Sequence, residues 1–353
     1  MKILHAAETI KGGIASYLEE VLPYQINDFG RGGVLVLVPD GHADCLSEFA
    51  DNIVTFSRKS RGIAGLWHFV LQLIKTLNKK KPEVVFFHST FAGLFGRIIL
   101  FIYRQKFKVI YCPHGWSFAM KTSNIKNKIY RFIEMILANY ATDKVICISK
   151  HEYKLAIEAG INEEKIALIY NGITPPEVFT NKNPETNRPV EILFVGRFDY
   201  AKGFDILCAA IKNIDTRIYN LTVIGGAIDG EQQLDIPANV NYLGWLPRQQ
   251  VLEYICKTDV LVMPSRWEGF SMLALEAMAC GTAIFASTEA SLPEQIAAKV
   301  TGELFDISDT NSLKNLIIEA NINRLHEMGL MGRIKYLENF TAKTMNESFN
   351  RLL

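Results

Sequence analysis

Two glutamates and two cations carry the chemistry that this sequence offers. Residues 264–282 read PSRWEGFSMLALEAMACGT, with Glu268 and Glu276 eight positions apart and Gly269 directly after the first. Eight residues of helix make a little over two turns, so the spacing predicts both carboxylates on one side of a site. Directly upstream, Val260-Leu-Val-Met263 reads as a short buried strand closed by Pro264. The helix is therefore expected to open at the carboxyl end of a strand, where open α/β sheets bind ligands. Its first amides, at Gly269, Phe270 and Ser271, would offer N–H groups and a positive dipole end to a phosphate or hydroxyl. Residues 191–205, EILFVGRFDYAKGFD, add a buried strand, a turn at Gly196, and the cations Arg197 and Lys202. Arg supplies a planar fork and Lys a mobile point charge, a pair able to clamp a diphosphate. Acids for hydroxyls and cations for phosphates suit a sugar nucleotide. The plainer alternative is an amphipathic helix with two solvated acids.

Alternating strands and helices must position these groups. In the first half the expected strands are 2–6, 33–38, 52–56, 84–88, 108–113 and 144–149, and the helices 13–22, 62–78, 91–103, 125–141 and 150–159. Such alternation predicts parallel sheets covered by helices. Residues 174–189 are rich in Pro, Asn, Thr and Glu, a linker composition. The expected organisation is an N-terminal domain over 1–170, a linker over 171–189 and a C-terminal domain over 190–334. A last helix, about 335–353, carries Ile334, Leu337, Phe340 and Met345 near or within it. On the N-terminal side, Gly12-Gly13 follows the first strand and opens a helix, where close backbone approach to a phosphate is possible. Pro113-His114-Gly115 puts a histidine at a strand end, exposed to a cleft rather than tucked into a core. His88 and Ser149-Lys150 end other strands on the same side, while His5 in the first strand reads as structural.

Gly196-Arg197…Lys202-Gly203, Leu243-Gly244, Asp259–Ser265 and Glu268 through Glu276-Ala-Met-Ala-Cys-Gly281 occur in that order over most of residues 190–300. In this the chain resembles the retaining GT-B glycosyltransferases of family 4, the group with bacterial lipopolysaccharide, capsule and mannosyl transferases. The resemblance implies two facing Rossmann-like domains with parallel sheets and an inter-domain cleft, the last helix packing back on an acceptor-binding N-terminal domain. It implies that Glu276 binds the ribose, and that Glu268 with the amides of Gly269–Ser271 meets the donor sugar. Arg197 and Lys202, with Gly196 between strand and loop, would stabilise the diphosphate. Gly12-Gly13 corresponds to the family's glycine loop near that diphosphate, and His114 to a histidine beside the donor sugar. The implied reaction is sugar transfer from a UDP- or GDP-sugar to a hydroxyl with retention of configuration. Without an Asp-x-Asp metal signature, cations and helix ends would neutralise the leaving group, and neither metal nor other cofactor is expected. No GxGxxG fingerprint with a downstream acid supports a nicotinamide enzyme. The non-enzymatic alternative is a silent GT-B-like subunit that binds anionic lipid or a partner transferase.

Composition bounds the setting. The 353 residues suffice for two domains, 49% are hydrophobic, and six scattered cysteines form no CxxC pair, as expected of reduced thiols in a cytosolic protein. The start MKILHAAETIKGG does not read as a signal peptide, and the most apolar run, 94–103, is interrupted by Arg97 and bounded by Arg104, which favours a buried helix over a membrane span. The net charge of +1 hides an asymmetry: residues 51–150 hold 17 Lys and Arg against 4 Asp and Glu, a local +13 that leaves −12 elsewhere. No nucleic-acid motif accompanies that charge. Arg58, Lys59, Arg61 and Lys79–Lys81 bracket an amphipathic run, 63–77, with Trp67, Phe69 and Leu73, and Lys121, Lys126, Lys128 and Arg131 extend the charge. This predicts contact with an anionic membrane, as a peripheral protein on the inner face of the cytoplasmic membrane. A polyprenyl-diphosphate-linked glycan of O-antigen, capsule or exopolysaccharide assembly is the expected acceptor, and a monomer the expected state.

Overall fold

A computed structural model describes residues 1–58, 62–103, 107–120, 123–176, 185–227 and 236–353. Lys59, Arg61, Arg104 and Lys121 of the basic half lie outside the described residues. The chain divides into two compact units, Met1–Gly172 with Ala342–Leu353, and Ile173–Thr341.

Unit 1 is built from β1 (Ile3–Ala7), α1 (Gly13–Phe29), β2 (Val34–Pro39), β3 (Ile53–Phe56), α2 (Ile63–Lys80), β4 (Val84–His88), α3 (Thr90–Tyr103), β5 (Lys108–Cys112), α4 (Asn124–Tyr140), β6 (Lys144–Cys147), α5 (Lys150–Glu158) and β7 (Ile166–Leu168). Its seven strands, all parallel, lie in the order 3-2-1-4-5-6-7. Burial on both faces explains why β1, β2 and β4 read as nearly continuous apolar runs. The six strands read from sequence are present. β7 escaped because three residues are too few to show a pattern.

Unit 2 contains β8 (Val190–Arg197), α6 (Phe204–Ile211), β9 (Tyr219–Gly226), β10 (Val240–Gly244), α7 (Arg248–Lys257), β11 (Val260–Met263), α8 (Met272–Ala279), β12 (Ala283–Ser287), α9 (Leu292–Gln295), β13 (Gly302–Phe305), α10 (Thr310–Ile318) and α11 (Ile322–Asn339). Its sheet order, β10-β9-β8-β11-β12-β13, is again parallel throughout. Each sheet thus has a doubly wound order that reverses at one point: between β1 and β4, and between β8 and β11. Ligand crevices of such sheets lie at that reversal, beyond the carboxyl ends of the strands.

The single final helix expected over 335–353 is two helices. α11 ends at Asn339, and α12 (Ala342–Asn350) belongs to unit 1. Backbone bonding causes the break: Phe340 O accepts from Ile173 N at 3.1 Å, and Ile173 pairs with Thr341 in an isolated bridge. Ile334 and Leu337 on α11 are exposed, while Phe340 and Met345 are buried.

Arg97, read as an interruption of an apolar run, is buried inside α3. Its Nη2 meets Glu134 Oε2 of α4 at 2.6 Å, its Nε donates to Gly93 O at 2.7 Å, and its guanidinium lies 3.8 Å from the centre of the Tyr111 ring. Tyr111 completes the network by donating to Glu134 Oε1 at 3.1 Å. Removing one partner would strand a buried charge. Glu134→Ala should cost about 3–5 kcal/mol of stability in denaturant unfolding, whereas a loss below about 1 kcal/mol, as for a surface pair, would contradict a buried role.

Candidate active site

In unit 2 the predicted groups gather at the sheet's reversal. Lys202, in the loop after β8, reaches Glu268, in the loop after β11, with Nζ 2.5 Å from Oε1. The same Oε1 accepts from Ser265 Oγ at 2.9 Å, and no hydrogen bond among the described residues reaches Oε2. Both side chains keep partial contact with solvent. The carboxylate is therefore fixed through one oxygen. Asp199 organises the rest of the loop: Oδ2 pairs with Arg197 Nη2 at 2.7 Å, and Oδ1 accepts from Lys202 N at 2.9 Å. Arg197 is nearly half exposed and projects from the end of β8.

Glycines let these loops approach. A Cβ on Gly203, where φ is +68°, would sit 2.0 Å from Pro264 O. A Cβ on Gly225, where φ is +126°, would sit 1.9 Å from Gly196 O. Either clash would force the β8 loop away from its neighbours. The loops are tied further by Arg266, whose N donates to Ala201 O at 2.8 Å and whose guanidinium makes a two-pronged pair with Asp205.

The structure corrects two expectations here. Glu268 is not on the helix, which opens only at Met272, so helical spacing does not relate it to Glu276. The strand-end loop brings it to the site instead. Ser271 does not offer its amide to a ligand: Gln295 Oε1 accepts from Ser271 N and Gln295 Nε2 donates to Ser271 O, both at 2.9 Å. Its hydroxyl caps α8 by accepting from Ala274 N. Gly269 lies in the loop directly after Glu268, and Phe270 is buried with its ring against Phe340. Glu276 does sit on α8, where Arg248 Nε of α7 pairs with its Oε1 at 2.9 Å. Arg248 had no sequence signal beyond its charge. Only the fold reveals that α7 delivers it to Glu276.

In unit 1, Gly12 precedes α1 with φ of +96°, and a Cβ at Gly12 or Gly13 would meet only open space. The turn thus exposes the start of a seventeen-residue helix, although backbone conformation alone explains Gly12. His114 lies two residues beyond β5 with φ of +52°, followed by Gly115 at +111°. It is partly exposed, and its Nε2 lies 2.9 Å from His88 Nδ1. His88 is completely buried and Ser149 likewise, so neither touches a ligand in this conformation. Ser149 caps α5 by accepting from Glu152 N at 3.0 Å. His5 is buried in β1 and bonded to His88.

The helix proposed for membrane contact turns most of its named residues inward. Phe69 and Leu73 of α2 are core, while Trp67 and Leu71 are exposed.

Two doubly wound domains, one carrying paired cations and acids at its reversal point, match the architecture expected of a GT-B protein. The family model Glycosyltransferase Family 4 matches residues 12–176, and Glycosyl transferases group 1 matches residues 177–331. An uncharacterised 41.2 kDa protein from the cps region of Klebsiella pneumoniae is 36% identical over 93% of this chain and 92% of its own. The Escherichia coli UDP-Gal:alpha-D-GlcNAc-diphosphoundecaprenol alpha-1,3-galactosyltransferase is 24% identical over 76% of this chain and 72% of its own. Among solved structures, Anabaena HepE in complex with UDP and glucose superposes with a TM-score of 0.83 at 21% identity, covering 100% of this chain and 99% of that one. The chain belongs to the GT-B glycosyltransferases and is a glycosyltransferase similar to those of bacterial capsule and lipopolysaccharide synthesis.

Gly203→Ala tests the loop geometry. It should cost about 2 kcal/mol or more, from the left-handed backbone and the clash with Pro264 O, and should weaken nucleotide-sugar binding. Unchanged melting and binding would mean that the loop does not need this close approach.

Proposed function

We propose that this enzyme moves a sugar, with retention of anomeric configuration, from a UDP- or GDP-sugar to a hydroxyl of a polyprenyl-diphosphate-linked glycan in bacterial polysaccharide assembly. The observation that carries the donor half is the Lys202–Glu268 pair at the β8/β11 reversal, with Arg197 beside it. The E. coli relative's name specifies a UDP-sugar donor and a diphosphoundecaprenol-linked acceptor, and HepE holds UDP and glucose.

In this reading unit 2 holds the nucleotide. Glu276, steadied by Arg248, takes the ribose hydroxyls. Glu268 offers Oε2 to a hydroxyl of the donor sugar, with the Gly269 and Phe270 segment alongside. Lys202 and Arg197 turn toward the diphosphate, where they stabilise charge that grows as the glycosidic bond breaks. The departing phosphate oxygen takes the acceptor's proton on the same face of the sugar, so no enzyme carboxylate acts as nucleophile. With cations present for the leaving group, no metal is needed. On unit 1 the Gly12-Gly13 turn and His114 are assigned to the diphosphate and sugar, respectively.

Membrane contact is assigned to the α2–α4 face of unit 1 rather than to the 63–77 run alone. α3 lies against both α2 and α4. Along α4, Ile125, Ile129, Phe132, Ile136 and Tyr140 form an exposed stripe at spacings of three and four, joined by Phe101 and Ile102 of α3 and Trp67 of α2. Exposed Lys126, Lys128 and Arg131 of α4, with Lys75, Lys79 and Lys80 of α2, accompany this apolar surface. Such a face suits an anionic bilayer, with apolar side chains in the interface and cations at the phosphates.

Calorimetry and nucleotide release over a panel of UDP- and GDP-sugars, in EDTA, test the donor reading. One donor should bind selectively, and Lys202→Ala or Glu276→Ala should cut release at least about tenfold, the size of one lost charged hydrogen bond. Binding to none of them would favour the silent subunit, and release that needs a divalent ion would overturn the metal-free reading. For the membrane, vesicles rich in phosphatidylglycerol should sediment the protein at low salt, and Ile129→Asp with Phe132→Asp should abolish this. Equal binding to neutral vesicles, or none to either, would remove the membrane assignment.

A further inference from the structure

A line of histidines runs from the interior of unit 1 to its carboxyl edge. His5 Nε2 lies 2.7 Å from Gln25 Oε1 of α1, His5 Nδ1 lies 2.9 Å from His88 Nε2, and His88 Nδ1 lies 2.9 Å from His114 Nε2. The three residues occupy β1, the end of β4 and the segment beyond β5, so the chain of bonds bridges the sheet's reversal point. Packing fixes the rings. His5 stacks on Phe86 at 4.8 Å between centroids, the His5 and His88 rings lie edge to edge and within 16° of parallel, as their shared hydrogen bond requires, and Tyr17 meets His114 edge-on at 4.7 Å. Among the described residues none of the three rings forms an ion pair.

The bonds have a direction, and it can be worked out from the inner end. A neutral imidazole has one N–H and one lone pair, so each bond in the line dictates the next. With the Gln25 amide turned so that Oε1 faces His5 and Nε2 is buried without a partner, Oε1 can only accept, so His5 Nε2 carries the hydrogen and His5 Nδ1 is a bare lone pair. That lone pair accepts from His88 Nε2–H, which leaves His88 Nδ1 to accept from His114 Nε2–H. The line therefore ends with the lone pair of His114 Nδ1, an atom that makes no hydrogen bond among the described residues. Desolvation disfavours the charged form along the line: it lowers buried His5 from 6.5 to about 4, holds buried His88 well below its ordinary value, and lowers His114, whose ring is partly exposed, in the same direction. The neighbours do not offset this. Gln25 on α1 favours the charged form of His5 only partly, while Tyr17 on α1 and Cys112 on β5 are themselves pushed toward their neutral forms by burial.

We propose that His5, His88 and Gln25 are positioning residues that hold His114 as the neutral Nε2–H tautomer, presenting Nδ1 outward solely as a hydrogen-bond acceptor. The ligand class that such an end selects is a hydroxyl donor, as on a sugar. A phosphate oxygen, which needs a donor, is rejected by the same lone pair. His114 is thereby excluded from protonating a leaving group near neutral pH. The role toward sugar rests on the glycosyltransferase reading, but the tautomer does not.

The test is long-range proton–nitrogen NMR of the ¹⁵N-histidine-labelled full chain from pH 8 to pH 5, with no ligand. The expected result is three neutral Nε2–H rings that do not titrate over this range. An Nδ1–H signal at His114, or a charged ring in the line at pH 6, would overturn the proposal. Gln25→Leu then removes the inner acceptor. His114 should acquire an Nδ1–H population, and kcat/KM for the donor should fall about tenfold, the size of one lost hydrogen bond, with the pH profile kept and melting lowered but still cooperative, since His5 loses a buried acceptor. An unmoved tautomer, or a moved tautomer with unchanged kcat/KM, would refute the positioning role. If wild type binds no nucleotide sugar while the NMR result holds, it is the transferase reading that fails and not the relay.

Discussion

The carbonyl of Pro264 fills the space that any side chain at residue 203 would require. That close approach holds the loop after β8 against the loop after β11, and the donor side of the site depends on it. The two loops leave strands that are neighbours in the sheet but far apart in sequence, because the order of the sheet reverses between them. Lys202 and Glu268, 66 residues apart, become a 2.5 Å pair as a consequence. Both side chains of the pair keep some contact with solvent, so part of its Coulomb energy is lost to screening. That favours a site over a strut. A pair with solvent contact can exchange partners for phosphate and hydroxyl at a smaller desolvation cost than the Arg97–Glu134 pair, sealed in unit 1.

Charge balance within unit 2 follows the same logic. Arg197, Lys202 and Arg248 each face an acid: Asp199, Glu268 and Glu276. Arg197 and Lys202, on one short loop, would repel each other without these acids. Paired with acids, they stay in place until an anion competes for them. The acids in turn are held in fixed orientations by the cations, and a carboxylate so oriented can accept from hydroxyls.

Much of this was legible in the sequence, and the failures have physical causes. Parallel strands buried on both faces leave long apolar runs, so β1, β2, β4 and β11 stood out, and glycines forced into positive φ marked the loops that matter. Helix starts were harder to read. Glu268-Gly-Phe-Ser looks like a first turn, but Gln295 takes both backbone groups of Ser271 from a distance of 24 residues and delays the helix to Met272. Amphipathicity misled at α2, where Phe69 and Leu73 are apolar because they face the sheet. The surface that lacks a partner is on α3 and α4 as well, and a one-dimensional pattern cannot say which of two apolar sides is covered. Arg248 had no local signature because its meaning comes from the packing of α7 on α8.

His5 shows the limit most clearly. A histidine in a buried strand reads as filler, and in one respect it is: it touches no ligand. Yet burial alone would leave His114 free to choose between two neutral tautomers, which differ little in energy when solvent supplies the partner. A chain of bonds anchored on a side-chain carbonyl removes that choice, and does so without placing a charge near the site. A carboxylate at the inner end would also fix the direction, but it would favour a charged imidazole and so a ring able to donate protons. Glutamine gives orientation without acidity. In the transfer proposed above, where the departing phosphate takes the proton, a histidine kept neutral and accepting would bind sugar without competing for that proton.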